Sequence, residues 1–377
     1  MLLKRELQDI IEKWLFKDKI VLIYGARQVG KTTLCKQILK KYSTTKKTAY
    51  FNCESLEVKT AFETTSKNLL CMALDNKELV VLDEAQNINN IGLTLKIIHD
   101  VFPNICVIAS GSSSFDLINQ VGAPLTGRSV PFILYPFSVK EIKNNFGFTE
   151  TIGKLNEMLL TGAYPSILGI SESLAQESLS IMAGNYLYKD VLTFEKLKNS
   201  NKLLELLQLL ALQIGKEVSY SEIGQRLGMS HSTVSKYIDL LEKCFIIFKL
   251  RSFSKNPRKE ISKSIKIFFY DLGIRNALIQ TFTPLNLRTD IGALWENFCI
   301  VERKKLNNNL QKRVNQFFYR TFTGEEIDYI EEYNGTMEGY EFKYSKYKIK
   351  QPKKFISNHA LSDIKCINKG NWFEFLI

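Results

Sequence analysis

The chain has 377 residues, 45% of them hydrophobic and 24% charged, with a formal net charge of +12. That length suits two to four domains of ordinary globular composition, and no apolar run approaches the ~20 residues of a membrane-spanning helix. Seven scattered cysteines form no CxxC pair and three histidines lie far apart, which excludes a zinc signature and a disulfide framework and predicts a reducing, cytoplasmic setting.

The N-terminal stretch MLLKRELQDIIEKWLF mixes charges among its apolar residues, as an amphipathic helix does and a secretory signal does not. Val21–Tyr24 then reads as a short buried strand, and helical periodicity begins at Thr32. Between them lies GARQVGKT, residues 25–32, the phosphate-loop pattern in its required strand–loop–helix setting. Gly25 and Gly30 let the backbone curl so that its N–H groups face phosphate oxygens. Gly25, Ala26, Arg27, Gln28, Val29, Gly30, Lys31, Thr32 and Thr33 are therefore the candidate nucleotide-binding residues. Lys31 is expected to reach the β- and γ-phosphates, and Thr32 to offer its hydroxyl to Mg²⁺.

The next buried strand ends in acids: KELVVLDEAQ places Asp83 and Glu84 after four apolar residues. Asp83 is suited to hold the Mg²⁺ shell and Glu84 to polarise the attacking water. A strand-like run, TAYFNCE (48–54), falls between these two segments. It predicts the phosphate-loop subclass in which another strand separates the two Walker strands. NICVIASGSS (104–113) reads as the following strand. Ser110 or Ser112 at its end either senses the γ-phosphate or belongs to a plain Gly-Ser loop. Arg128, in LTGRS, is a candidate arginine finger or a surface cation.

From residue 141 to 198 the pattern is helical, broken by GAYP (162–165), and fits a lid or connector. NKLLELLQLLALQIG is followed by SYSEIGQRLGMSHSTVSKYIDLLEKCFIIFKL. Ser221 and Ser230 are predicted N-caps around a tight turn at Gly228, and FIIFKL suits the first strand of a wing. A winged helix-turn-helix is expected. Its second helix would present His231, Ser232, Thr233, Ser235 and Lys236 to DNA, or to a protein partner. Residues 243–275 carry nine Lys/Arg against two acids, and 342–354 carry six Lys and no acid. Such clusters suit a polyanion partner or a solvated basic surface.

Near the C-terminus, Asn334-Gly335 sits between two alternating runs, the signal for a two-residue type I′ hairpin. Pairing Tyr333 with Thr336 brings Asp328 opposite Glu341, with Lys343 on the same face. Like charges so placed destabilise a sheet. Ile327, Tyr329, Tyr340 and Phe342 are expected to alternate into a core on the other face.

GARQVGKTTL, VVLDEAQ, ASGSS, LTGR, LYPFSVKEI, GAYP and GALWENF together resemble the prokaryotic AAA-type ATPases that carry a C-terminal domain of unknown function. The resemblance implies an α/β multidomain chain: an AAA-like phosphate-loop ATPase core over 1–140, a helical lid over 141–198, a winged helix with a basic linker over 199–275, and a restriction-endonuclease-like domain over 276–377. In such a domain, Glu296 from a helix, Asp328 from one strand and Glu341 from the next converge on Mg²⁺ or Mn²⁺. Lys343 then assists at the water or the phosphate. A bound cation would turn the Asp328–Glu341 repulsion into coordination. The expected function is Mg²⁺-dependent ATP hydrolysis coupled to DNA binding, with metal-dependent cleavage as a second activity and a homo-oligomer as a possible form. The alternative is a nucleotide-controlled switch or assembly protein whose C-terminal domain binds without cleaving.

Overall fold

A computed structural model describes residues 3–111, 124–186, 200–254, 264–321, 324–345, 348–349, 351–352, 355–357 and 363–377. The chain folds into two compact units, Met1–Pro136 with Lys243–Phe245, and Phe137–Glu242 with Ile246–Ile377. Among the described residues no helix is long and apolar enough to cross a membrane.

The first unit runs α1 (Glu6–Glu12), β1 (Ile20–Tyr24), α2 (Lys31–Tyr42), β2 (Thr48–Asn52), α3 (Leu56–Phe62) and α4 (Lys67–Leu74). It continues through β3 (Leu79–Asp83), α5 (Ile91–Val101), β4 (Cys106–Gly111) and β5 (Ser129–Ile133). All five strands are parallel, in the order β2-β3-β4-β1-β5. β1, β3 and β4 are buried at every position, so their near-continuous apolar runs match what an internal parallel strand needs. The strand between β1 and β3 is β4, so another strand does separate the two Walker strands, as expected. β2 lies at the sheet edge beside β3. TAYFN carries Thr, Tyr and Asn and stays half-buried or exposed, whereas CVIASG is small and apolar enough for the interior.

The second unit opens with α6 (Val139–Phe146), α7 (Phe148–Gly153), α8 (Leu155–Thr161) and α9 (Glu172–Ile181). Ser138 and Glu141 form a reciprocal capping box on α6. GAYP ends α8 with Gly162 at φ 74°. There the Ala163 N–H donates to the buried Asp271 carboxylate at 2.8 Å, and a Cβ on Gly162 would run into that carboxylate. The chain goes on with α10 (Ser200–Leu212), β6 (Glu217–Val218), α11 (Tyr220–Leu227), α12 (His231–Lys243), β7 (Ile247–Ser252) and β8 (Ile265–Phe269). Ser230 receives the Thr233 N–H at 3.1 Å, as expected of a cap. The cap of α11 is Ser219, not Ser221: its Oγ accepts the Glu222 N–H at 3.3 Å, and Ser221 lies inside the helix. A cap must stand about three residues before the amide it serves.

The remaining elements are α13 (Leu272–Leu278), α14 (Ile291–Asn309), β9 (Asn315–Arg320), β10 (Glu326–Tyr333), β11 (Thr336–Phe342), β12 (Ile364–Ile367) and α15 (Trp372–Phe375). One seven-stranded sheet has the order β12-β11-β10-β9-β7-β8-β6. β7 is antiparallel to β8 and parallel to β9. The two short strands beside the helix pair therefore continue into the C-terminal strands, and the expected boundary at 275/276 falls within this unit.

The hairpin has the predicted register, with Tyr333 opposite Thr336 and Tyr329 opposite Tyr340. Asn334 and Gly335 take φ 50° and 78°, as a type I′ turn demands. Against β9, however, the pairing of β10 shifts between Ile327 and Ile330. Such a bulge breaks the two-residue alternation. Ile327 consequently packs with Ile330, Phe355 and Ile364. It does not join Tyr329, Tyr340 and Phe342, whose rings lie 6.2 and 6.1 Å from that of Tyr329.

Candidate functional site

β1 delivers the chain into a loop that only small or left-handed residues can follow. Gly25 has φ 156°, and a Cβ there would collide with the carbonyl oxygen of Leu134. Gln28 and Gly30 take φ 62° and 97°, and Gly30 starts α2. The Lys31 ammonium is buried and donates to the carbonyls of Gly25 and Ala26, each at 2.9 Å. From α1's N-terminal flank, buried Arg5 donates to the Val29 carbonyl at 2.8 Å and the Tyr135 carbonyl at 2.5 Å. Sequence reading missed Arg5, because no local spacing ties residue 5 to residue 29.

Asp83 ends β3 and is buried. Its Oδ2 accepts from Thr32 Oγ1 at 2.6 Å and from Tyr50 Oη at 2.6 Å, while its Oδ1 accepts from Ser110 Oγ. Thr32 and Asp83 are thus brought together beside the loop. A hydroxyl and a carboxylate are the hard oxygen donors that suit Mg²⁺, so these residues fit that ion. Glu84 follows in a left-handed conformation, φ 54°, which costs on the order of 1 kcal/mol for a non-glycine residue. Its Oε2 accepts from Gln86 Nε2 at 2.6 Å. Thr33 is exposed, and Arg27 is half-buried within the loop.

Ser110 is fully buried, donates to Asp83 and accepts the Glu84 N–H at 3.3 Å. It positions the acids at the end of β3. Ser112 lies outside the described residues. Arg128 precedes β5, level with Ile20, whose N–H donates to its carbonyl at 2.9 Å. The phosphate loop leaves the other end of β1, five residues away in the parallel register, or about 17 Å at strand rise. Arg128 is half-buried and holds Asp100 at 2.8 and 3.1 Å. It cannot serve its own loop as an arginine finger, because parallel strands put their starts and their ends on opposite edges.

In the second unit, Asp328 and Glu341 are both buried and share the Lys343 ammonium, at 3.4 and 2.7 Å. Asp328 also accepts the Phe342 N–H at 2.8 Å. Burial and the nearby Asp328 push Glu341 up to about 7. Burial pulls Lys343 down, but Asp328 and Glu341 outweigh it and raise it. Glu296, on α14, pairs with Lys266 at 2.9 Å, and Lys266 also reaches Glu326 at 3.4 Å. Burial pushes Glu296 up to about 7 against the pull of Lys266. Among the described residues, no three His, Cys, Asp or Glu side chains are grouped so as to hold a metal ion. The expected Glu296–Asp328–Glu341 metal triad is therefore corrected. Lysine ammoniums supply the positive charge, and Lys266, which no motif marked, comes from β8, distant in sequence from the hairpin.

Residues 17–143 match the family model described as an AAA domain. Residues 152–285 and 291–372 match two domains of unknown function, DUF8612 and DUF4143. An uncharacterized protein of Methanocaldococcus jannaschii, MJ1637, is 27% identical over 72% of this chain, which spans 65% of that relative's length. An uncharacterized protein of Haemophilus influenzae is 26% identical, covering 72% of each chain. Among solved structures, AMPPCP-bound DnaA from Aquifex aeolicus is 15% identical with a TM-score of 0.28, covering 63% of this chain and 86% of that one. The segment 17–143 is thus an AAA-type phosphate-loop domain.

Proposed function

We propose that the chain is a magnesium-dependent ATP hydrolase whose nucleotide state is coupled to DNA held by its second unit. The observation carrying the first half is the Thr32–Asp83 hydrogen bond of 2.6 Å beside the loop of Lys31. Lys31 exchanges the Gly25 and Ala26 carbonyls for the β- and γ-phosphates, while loop N–H groups and the start of α2 receive phosphate oxygens. Thr32 and Asp83 would hold Mg²⁺, which supplies charge neutralisation between those phosphates when bound. Glu84 orients and deprotonates the water. The water oxygen bonds to the γ-phosphorus, the bond to the β–γ bridging oxygen breaks, and ADP departs with that electron pair.

Support for the second half is the succession helix, strand, helix, helix, strand, strand from α10 to β8, which suits a winged helix-turn-helix. The exposed start of α12 carries His231, Ser232 and Lys236, and the 243–275 segment is basic. We read the C-terminal part as restriction-endonuclease-like. Cleavage of DNA there is the second reading, favoured by the convergence of Asp328, Glu341 and Lys343.

The test is ATP turnover and DNA cleavage measured side by side with Mg²⁺ or Mn²⁺, with and without DNA. DNA-stimulated turnover without cleavage supports the first reading. Cleavage that Lys343→Ala removes supports the second. Tight nucleotide binding without turnover would overturn the hydrolase and leave a nucleotide-controlled switch.

A further inference from the structure

Asp83 is the residue on which magnesium placement turns, and the protein fixes both of its oxygens. Three hydroxyls reach it: Thr32 from the phosphate-loop helix, Ser110 from β4 and Tyr50 from the edge strand β2. Thr32 belongs to the loop motif, and Ser110 sits on the neighbouring strand. Tyr50 belongs to no motif and lies 33 residues from Asp83 in sequence.

We propose that Tyr50 is a positioning residue for the magnesium–nucleotide complex, holding the Asp83 carboxylate in the orientation that receives the ion. This rests on the ATP-site reading above. Tyr50 faces Val81 in the parallel β2–β3 register, so its side chain and that of Asp83 lie on the same face of the sheet. Its phenol meets Oδ2, the oxygen that also receives Thr32. When the Thr32 oxygen turns its lone pairs to the ion, Tyr50 and Ser110 remain as neutral donors, one to each carboxylate oxygen. They fix its plane while leaving lone pairs for metal-bound water. The ring is held in turn, because the Lys36 ammonium of α2 stands 4.8 Å above its centroid. β2 is further tied to the same residue by the Cys53 N–H donating to the Asp83 carbonyl at 2.9 Å. Loss of such outer partners costs about 10–100-fold in metal affinity.

The test uses the full chain and Tyr50→Phe, which keeps the ring and its Lys36 contact and deletes only the hydroxyl. Affinity for a fluorescent ATP analogue is measured in EDTA and across a Mg²⁺ titration, together with the Mg²⁺ dependence of turnover. We expect unchanged affinity in EDTA and about tenfold more Mg²⁺ for the metal-dependent gain in binding. Turnover should follow the same shift, with little loss at saturating Mg²⁺. Tyr50→His, which can still donate, should recover part of the difference. An unshifted Mg²⁺ midpoint overturns the proposal, as does equal loss in EDTA and Mg²⁺, which would mark a merely structural tyrosine. Failure of wild type to hydrolyse ATP would sink the hydrolase reading instead, and the binding titration would still decide Tyr50.

Discussion

Lys31 and Glu84 stand at the two sides of the candidate ATP site and act at different stages. Lys31→Ala removes the charge that meets two phosphates, so nucleotide affinity should fall about 100-fold by the usual worth of charged hydrogen bonds. Glu84→Gln keeps binding and should slow turnover by about 10²-fold or more, the contribution of a general base. Equilibrium binding and single-turnover hydrolysis separate the two, and equal loss of binding in both variants would contradict the roles. Arg128→Ala, by contrast, should leave turnover unchanged, because its guanidinium is spent on Asp100 at the far edge of the sheet. In the second unit, Glu341 titrates at about 7 against an ordinary 4.5. A carboxyl that binds its proton more tightly when folded contributes stability that is complete below the unfolded value. That stability is lost as pH rises from about 4.5 through about 7. Melting temperatures at acidic and neutral pH should therefore differ less in Glu341→Gln than in wild type. Identical pH slopes would place the titration elsewhere.

At the scale of elements, backbone geometry decides what the side chains can do. Gly25 is required by the turn out of β1, since any Cβ meets the Leu134 carbonyl. Gly25→Ala should abolish nucleotide binding while leaving the second unit's melting transition in place. Gly335, at φ 78°, permits the hairpin turn, and Gly335→Ala should lower the stability of the second unit by about 1 kcal/mol. A urea melt followed by aromatic fluorescence would read this; no change would mean that the β10–β11 register is set by its core alone. The bulge in β10 works the other way. It turns Ile327 into the Ile330 cluster, while Asp328 stays over Lys343.

For the whole molecule, a net charge of +12 predicts DNA affinity that falls steeply with salt, because each neutralised phosphate releases counterions. Lys236→Ala with Arg251→Ala should weaken binding and flatten the log–log salt slope by up to about 2 units. Adding Lys255→Ala, at a position outside the described residues, should flatten it further. Binding titrations at several salt concentrations check this, and an unchanged slope would place the DNA surface elsewhere.

The sequence by itself determined the features that depend on near neighbours. The loop from Gly25 to Thr32 and the acids after Leu82 are fixed by strand-to-helix and strand-to-loop spacing. The hairpin register follows from two turn residues and a period of two. Tertiary structure alone decided the rest, because contacts across a sheet leave no mark on local spacing. It put β4, and not β2, between the two acid- and phosphate-bearing strands. It sent Arg128 to the wrong edge for its own loop, turned Ser110 onto Asp83 and brought Tyr50 to the same carboxylate. In the C-terminal cluster, the carboxylates were legible from the pattern. The lysine that answers Glu296 was not, because Lys266 reaches it from a strand 30 residues earlier. A period or a cap is set by the chain's own geometry, whereas the cation a buried acid meets is set by which strands the fold places side by side.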